Sequence, residues 1–218
     1  MLFRSGFDNS VSVVKTATGE IEARIPVGPE PQAIALTADG KKAYVTNFAG
    51  NSVTVLDLAA NKPLTAVLVG KGPDGIAVSP DNTKVYVANY DGGSVSILDS
   101  TSNAVTDTIP LGLRPSKVAF SPDGTKAFVS NAASETVSVI DTSTRTVAST
   151  ITVGSGNEVV TQPDGVIVTA GGARLYIALF GQGFGSELLV ASTGTDAILK
   201  TIKVGDGPFA MAVLPASP

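Results

Sequence analysis

The sequence contains no histidine and no cysteine. Without cysteine the chain cannot form a disulfide, a thiolate metal site or a cysteine nucleophile. The absence of histidine removes the commonest general base, the commonest zinc ligand and the usual haem ligand. Ser-His-Asp and Cys-His catalysis are therefore excluded, and no cofactor is expected.

The sequence also lacks a strong net charge and long apolar runs. Fifteen Lys and Arg stand against nineteen Asp and Glu among 218 residues, for a net charge of -4. Because no basic cluster is present to neutralise phosphates, nucleic acid is not expected as a partner. No apolar stretch approaches the roughly 18 to 20 residues of a membrane helix, so no membrane span is predicted. A strand-like segment follows Met1 directly, so either the chain is intracellular or a leader has been removed or lost.

A repeat of 42 residues organises most of the chain. The segments "YVTN", "YVAN" and "FVSN" begin at positions 44, 86 and 128, and one period earlier lies "LFRS" at position 2. Each unit continues with a run such as "SVTVLDL", a Val-Gly or Leu-Gly pair, a proline with an apolar segment, and Asp-Gly or Asp-Asn. The runs are rich in Val, Ile, Thr and aromatic residues, which predicts four short antiparallel strands in each unit.

The repeated motifs resemble the YVTN-repeat β-propeller family of prokaryotic surface layers, closely from residue 2 to about residue 153 and loosely afterwards. The resemblance implies an all-β propeller built of four-stranded antiparallel blades. We expect one domain over residues 1–218, with repeats starting near 2, 44, 86, 128 and 176. We label the strands of a blade A (after the proline), B (the YVTN run), C (the VSVID run) and D (ending in Val-Gly).

Five strands of each type are predicted, and the last is an A strand at "PFAMAVLP" (208–215). Three N-terminal strands and this one would complete a composite blade and close a five-bladed ring without free edges. The alternative is a five-blade fragment of a larger propeller. The last repeat has grown, because "SGNEVVTQ" (155–162) replaces the two residues "KG" (71–72).

The enlarged D-to-A and B-to-C connections of the last repeat are either ordinary loop variation in a divergent repeat or a ligand-binding rim, because long loops on a rigid scaffold commonly carry function. Aromatic residues recur directly after the B strands, and aromatic rings there either stack on a ligand or fill the gaps between blades. The glycines of "FGQGFGS" (180–186) suit an enlarged B-to-C loop, since no helix follows to make a phosphate loop. The predicted rim residues are Phe48, Tyr90, Glu158, Phe180, Phe184 and Glu187.

A second set of polar residues is predicted at the mouth of the central channel, where the A strands begin: Glu30, Gln32, Asp74, Arg114 and Asp164. These side chains are either simply solvated or hold a polar ligand or a cation through water. Asp57, Asp99 and Asp141 end successive C strands and are interpreted as caps of the C-to-D turns. Asn47, Asn89 and Asn131 are likewise interpreted as structural.

The resemblance implies a non-enzymatic binding or structural module that displays its rim to a protein or a glycan. It also implies an extracellular, cell-surface or periplasmic location. The alternative is a lactonase-like hydrolase, whose metal would be held by Asp, Glu and Asn alone at the channel mouth, a donor set that suits Ca²⁺. Fold analogy carries most of this functional expectation.

Overall fold

The computed structural model describes residues 1–154, 161–181, 187–205, 208 and 211. Every regular element in this part of the chain is a β-strand. The strands form five antiparallel sheets, in each of which neighbouring strands are consecutive in sequence. The all-β propeller class predicted from the repeat is confirmed.

The strands follow one another sheet by sheet along the chain. The first sheet contains β1 (Leu2–Ser5), β2 (Ser10–Val14) and β3 (Ile21–Pro26). The second contains β4 (Pro31–Leu36), β5 (Lys42–Asn47), β6 (Ser52–Asp57) and β7 (Lys62–Leu68). The third contains β8 (Pro73–Val78), β9 (Lys84–Asn89), β10 (Ser94–Asp99) and β11 (Val105–Pro110). The fourth contains β12 (Pro115–Phe120), β13 (Lys126–Asn131), β14 (Thr136–Asp141) and β15 (Thr146–Thr152). The fifth contains β16 (Thr161–Val168), β17 (Arg174–Gly181), β18 (Glu187–Ser192) and β19 (Ile198–Lys203).

The four complete sheets have the predicted order A, B, C, D, and β1 to β3 correspond to B, C and D. The C-terminal A strand predicted over 208–215 lies largely outside the described residues. The chain divides into two compact units, Met1–Thr108 and Ile109–Pro218, and the division falls within β11. We call them unit 1, which holds the first three sheets, and unit 2, which holds the last two.

Each unit has its core between the faces of neighbouring sheets. In unit 1, Val11, Ala43 and Leu56 belong to one fully buried cluster that joins the first two sheets. Tyr44 and Val87 belong to another cluster, which joins the second and third. Since the B and C strands have neighbours on both faces, apolar residues at nearly every position are favoured over simple alternation.

The core of unit 2 is built in the same way, with Phe128 of β13 in one cluster with Leu175 and Ile177 of β17. The D strands lie at the periphery, and β7 and β19 are mostly exposed. The A strands of neighbouring sheets lie beside one another, β4 against β8 in unit 1 and β12 against β16 in unit 2. Each complete sheet therefore has an inner A edge and an outer D edge.

The turns confirm the structural interpretation of the recurring aspartates. Oδ1 of Asp57 accepts hydrogen bonds from the backbone N–H groups of Ala59 and Ala60, at 2.9 and 3.0 Å. Asp99 and Asp141 accept the equivalent pairs in their own C-to-D turns. These carboxylates cap turns because a short side chain reaches the amides two and three residues ahead.

The recurring asparagines are also structural. Asn47 is fully buried, and its Nδ2 donates to Ser52 Oγ at 3.1 Å and to Thr54 Oγ1 at 2.9 Å. Asn89 and Asn131 make the corresponding pairs of bonds in the third and fourth sheets. In these three sheets the asparagine thus fastens the end of the B strand to the beginning of the C strand.

The fifth sheet differs from the prediction at one end. Strand β16 begins at Thr161 rather than at Pro163, because Thr161 pairs with Gly181 and Gln162 pairs with Phe180. Phe180 therefore lies within a strand and not in the B-to-C loop. Glu187, placed in the same loop by prediction, pairs with Leu179 and Lys203 as the first residue of β18. Part of the inserted sequence has lengthened the hairpin, since two more residue pairs extend its ladder.

Candidate functional site

The B-to-C loops and the D-to-A connections lie at the same end of each sheet, which we call the top end. In unit 1, two aromatic residues of the predicted rim meet there. The ring centroids of Phe48 and Tyr90 are 6.2 Å apart, and the ring planes are tilted by 55°. Both side chains are half-buried, and they follow β5 and β9 directly. Phe48 and Tyr90 therefore bridge the second and third sheets and leave part of their surfaces to solvent.

The backbone holds both aromatic residues at fixed positions. The N–H of Phe48 donates to the carbonyl of Glu30 at 2.9 Å, and the N–H of Tyr90 donates to that of Gly72 at 2.8 Å. Glu30 and Gly72 both have a positive φ, 55° and 59° respectively. Glycine adopts this conformation freely, whereas glutamate is held in it at a cost, which the surrounding bonds offset.

Side chains from the preceding blade support the same backbone. Oδ1 of Asn9 accepts from the N–H of Glu30 at 2.9 Å, and Oδ1 of Asn51 accepts from the N–H of Gly72 at 2.8 Å. Both asparagines also have a positive φ, which this residue type tolerates. Each D-to-A connection is thus tied to the B-to-C loop of the sheet before it. The top end of unit 1 is preorganised by these bonds.

Each A strand has an irregularity where it begins. The pairing in the second sheet passes from Pro31 opposite Asn47 to Ile34 opposite Val45, so Gln32 and Ala33 both face Thr46. The third, fourth and fifth sheets are shifted at the same place, after Pro73, Pro115 and Pro163. Such bulges turn side chains out of the regular pleat and are frequent beside functional sites.

The bulges contain three of the predicted channel-mouth residues: Gln32, Asp74 and Asp164. In unit 1, Nε2 of Gln32 donates to Glu30 Oε1 at 3.4 Å, and Thr46 Oγ1 donates to the backbone carbonyl of Asp74 at 2.7 Å. Glu30 and Gln32 are thus joined directly, and Thr46 of the second sheet holds the bulge of the third. We call the group of Glu30, Gln32, Phe48, Asp74 and Tyr90 the unit 1 rim.

Unit 2 contains a related arrangement. Ser116 Oγ lies 3.4 Å from Ser130 Oγ and donates to Asp164 Oδ1 at 3.4 Å. Ser130 Oγ also accepts from the N–H of Lys117 at 3.0 Å, so one hydroxyl secures the bulge of the fourth sheet. Arg114 is exposed and has a positive φ of 55°, as Glu30 has in unit 1. Of the other predicted rim residues, Glu158 and Phe184 lie outside the described residues.

The carboxyl groups whose pKa is lowered lie at the opposite, bottom end of the sheets. The Ser121 hydroxyl and then the Thr125 N–H hold the pKa of Asp123 below its usual range. Hydrogen bonds likewise lower the pKa of Asp39 and Asp81 in their A-to-B turns, and of Asp99 and Asp141 in their C-to-D turns. These shifts arise from turn geometry.

In the part of the chain that the structure describes, no three His, Cys, Asp or Glu side chains come together as a group able to hold a metal ion. The same residues include no helix of the length and hydrophobicity needed to cross a bilayer.

Sequence reasoning missed the hydroxyl groups that support the bulges, Thr46 and Ser130. Both occupy the third position of the "YVTN" and "FVSN" motifs, where the third and fifth repeats have Ala88 and Ala178. The sequence did carry a signal for these groups, because from the second repeat onwards this position alternates between a hydroxyl residue and alanine within an otherwise apolar strand. Its partners lie on neighbouring A strands, which no sequence spacing indicates.

Comparison with known proteins agrees with this architecture. A family model described as the SMP-30/Gluconolactonase/LRE-like region matches residues 30–133. No curated protein matches the chain. Among solved structures, Kuenenia stuttgartiensis hydrazine synthase superposes with a TM-score of 0.83 at 22% sequence identity, over 93% of this chain and 62% of that chain. The chain thus spans less than two thirds of that protein's length, and the likeness concerns the fold alone.

Proposed function

We propose that this protein is a non-enzymatic binding module whose unit 1 rim takes a glycan or a segment of a partner protein. The observation that carries the proposal is the contact between Phe48 and Tyr90 at the top end of two neighbouring sheets. Partly exposed aromatic rings offer flat apolar surface on which a sugar ring or an apolar side chain stacks.

The polar neighbours of the rings complete such a surface. Glu30 is joined to Gln32, and Asp74 occupies the equivalent bulge of the next sheet. Carboxylates accept hydrogen bonds from hydroxyl groups, and an amide both donates and accepts. Few polar groups around an apolar platform are typical of a ligand site that orients its ligand by hydrogen bonding.

Rigidity supports binding at this place. Because the backbone at Glu30 and Gly72 is fixed by bonds from Asn9 and Asn51, little conformational entropy is lost when a ligand is bound. The composition argues in the same direction, since a chain without histidine or cysteine lacks the usual catalytic bases and nucleophiles.

The resemblance to surface-layer repeats supports a location at the cell surface, outside the cell or in the periplasm of a prokaryote. A rim of aromatic and carboxylate side chains suits contact with wall polysaccharide or with another surface protein.

The test is a glycan array probed with the full chain, followed by titration of the best glycan into two double variants. Phe48→Ala/Tyr90→Ala is expected to weaken the affinity at least tenfold, because both stacking surfaces are removed. Phe3→Ala/Leu64→Ala removes two exposed apolar side chains from other strands and serves as the matched control. Equal affinities of the two double variants, with equal melting temperatures, would exclude the unit 1 rim as the glycan-binding site.

A lactonase-like hydrolase is the second candidate, and the match of residues 30–133 to the gluconolactonase-containing family model favours it. Glu30, Gln32 and Asp74 would supply oxygen ligands of the kind that Ca²⁺ accepts. Calcium binding by equilibrium dialysis, together with calcium-dependent hydrolysis of a lactone panel that is lost in Asp74→Asn, would support this candidate. If neither calcium binding nor lactone hydrolysis is detected, the hydrolase candidate is excluded and the binding module remains the proposal.

A further inference from the structure

We propose that a cleft at the bottom end of unit 2 is a second ligand site, which takes a neutral polyhydroxyl compound of the size of a mono- or disaccharide. The cleft has a volume of about 530 Å³, within the usual range for small-molecule sites. It lies between the A-to-B turns of the fourth and fifth sheets, beside the C-to-D turn of the fifth. It does not depend on the rim, which belongs to unit 1 and to the other end of the strands.

The equivalent place in unit 1 is bridged by the protein itself. Oδ1 of Asn82, in the A-to-B turn of the third sheet, accepts from the backbone N–H of Ala38 at 2.6 Å. Ala38 belongs to the A-to-B turn of the second sheet, so this bond draws the two turns together. Asn82 has a positive φ of 58°.

Both groups of that bridge are missing in unit 2. The counterpart of Asn82 is Gly172, which keeps the positive φ, at 73°, but has no side chain. The counterpart of Ala38 is Pro122, which has no backbone N–H. Acceptor and donor have thus been lost together, and Pro122, Gly171 and Gly172 line the cleft.

Two other contacts between the turns recur in both units. Lys42 Nζ donates to the Ser100 carbonyl at 2.7 Å in unit 1, and Lys126 Nζ donates to the Thr193 carbonyl at 2.6 Å in unit 2. The hydroxyls of Ser100 and Thr193 donate to the carbonyls of Asn82 and Gly172. The cleft is therefore a local opening in a junction that keeps these two contacts.

The lining favours a neutral ligand with many hydroxyl groups. Its two charged side chains, Asp123 and Lys126, have opposite signs. Lys126 Nζ also lies 3.7 Å from Asp196 Oδ1, so charges of one sign are not concentrated here to attract a strongly charged ligand. The Ser121 hydroxyl and both the N–H and the hydroxyl of Thr125 donate to Oδ1 of Asp123, which leaves its Oδ2 to accept from a ligand. Lys126 supplies donors, the hydroxyl oxygens of Thr125 and Thr193 can accept, and the glycines let a ring approach the backbone closely.

The experiment is saturation-transfer NMR on the full chain with glucose, galactose, N-acetylglucosamine and maltose as separate probes, and with spermidine and citrate as charged comparisons. We expect at least one sugar to bind and neither ion to bind. Gly172→Asn places in the cleft the residue that unit 1 has there, and a Cβ on Gly172 meets only Pro122, at an ordinary 3.4 Å. This variant is expected to fold and to weaken sugar binding at least tenfold.

A second pair of variants tests the carboxylate. Asp123→Asn is expected to weaken the sugar affinity about tenfold, because a charge-assisted hydrogen bond is lost. Asp39→Asn, the same change at the equivalent turn of the bridged junction, is expected to leave it unchanged. The proposal is overturned if no sugar binds, if spermidine or citrate binds instead, or if sugar binding survives Gly172→Asn. Sugar binding that is lost only in Phe48→Ala/Tyr90→Ala would assign the sugar to the rim and would likewise overturn it.

Discussion

Gly28 lies so close to Asn47 that a Cβ at Gly28 would be 2.6 Å from Asn47 Cγ. The two residues belong to the end of one blade and the B strand of the next, and the N–H of Gly28 also donates to Thr54 Oγ1 at 3.2 Å. Gly70 and Asn89 repeat the relationship, with a corresponding distance of 2.5 Å. The glycines of these two Val-Gly pairs are thus required by the buried asparagine of the next blade.

Gly28→Ala is therefore expected to destabilise the protein. The added methyl group has no space beside a buried amide, and overpacking of this kind costs about 1–3 kcal/mol. Urea denaturation measures the loss. Gly171→Ala is the control, because a Cβ at Gly171 meets nothing within 4 Å. Equal unfolding midpoints for the two variants would contradict the explanation.

Asn47→Ala is expected to lower the unfolding free energy by about 1–2 kcal/mol, because two buried hydroxyls lose their donor. The amide oxygen of Asn47 has no partner among the described residues, and this moderates the expected cost. Ser52→Ala, which removes one of the two acceptors, should cost less. A larger loss for Ser52→Ala than for Asn47→Ala would show that the amide is not the centre of this network.

Asn82→Gly should weaken unit 1 by about 1 kcal/mol, because the bond from the Ala38 N–H is lost while glycine keeps the positive φ. Asn61→Gly provides a matched control, since Asn61 also has a positive φ, of 48°, in a C-to-D turn. Thermal melting of both variants measures the difference. If Asn61→Gly lowers the unfolding free energy as much as Asn82→Gly, the loss arises from the greater freedom of glycine in the unfolded chain and not from the bond between Ala38 and Asn82.

Acid is expected to destabilise the protein through its turn carboxylates. The Ser102 backbone N–H and then Lys84 hold the pKa of Asp99 well below its usual range. A carboxyl group whose pKa is lowered by folding stabilises the protein above its unfolded pKa of about 3.9, and this contribution is lost as the pH falls below it. The urea midpoint should therefore fall from pH 4 downwards, and less steeply in Asp99→Asn.

The control for this pH dependence is Asp91→Asn, at an exposed carboxyl group of a B-to-C loop. The urea midpoint of this variant, plotted against pH, should run parallel to that of the unchanged protein. If the urea midpoint of Asp99→Asn falls as steeply with decreasing pH as that of the unchanged protein, groups other than Asp99 cause the acid sensitivity.

The repeat predicts much of this fold because each blade is built from local pairings. Strands that are consecutive in sequence pair with one another, so the "YVTN" and "VSVID" runs locate β5 and β6 directly. The capping role of Asp57 is equally local, since its partners lie two and three residues ahead. Such features follow from residue types and short spacings.

Relationships between blades were not predictable in the same way. The bulge at Gln32 leaves no mark in the spacing, because the extra residue is absorbed between Pro31 and Ile34. The loss of the bridge at Gly172 has meaning only when that glycine is set against Pro122 of the neighbouring sheet. The repeat wrongly predicted that Phe180 lies in a loop, because the two added residue pairs of its hairpin have no counterpart in the earlier blades.

The most direct test of the central claim is amide chemical-shift mapping by NMR, with the best glycan from the array as titrant. We expect the largest shifts at the top end of unit 1, at Gln32, Phe48, Asp74 and Tyr90, and their loss in Phe48→Ala/Tyr90→Ala. Shifts of equal size in that double variant, or shifts confined to other parts of the chain, would contradict it.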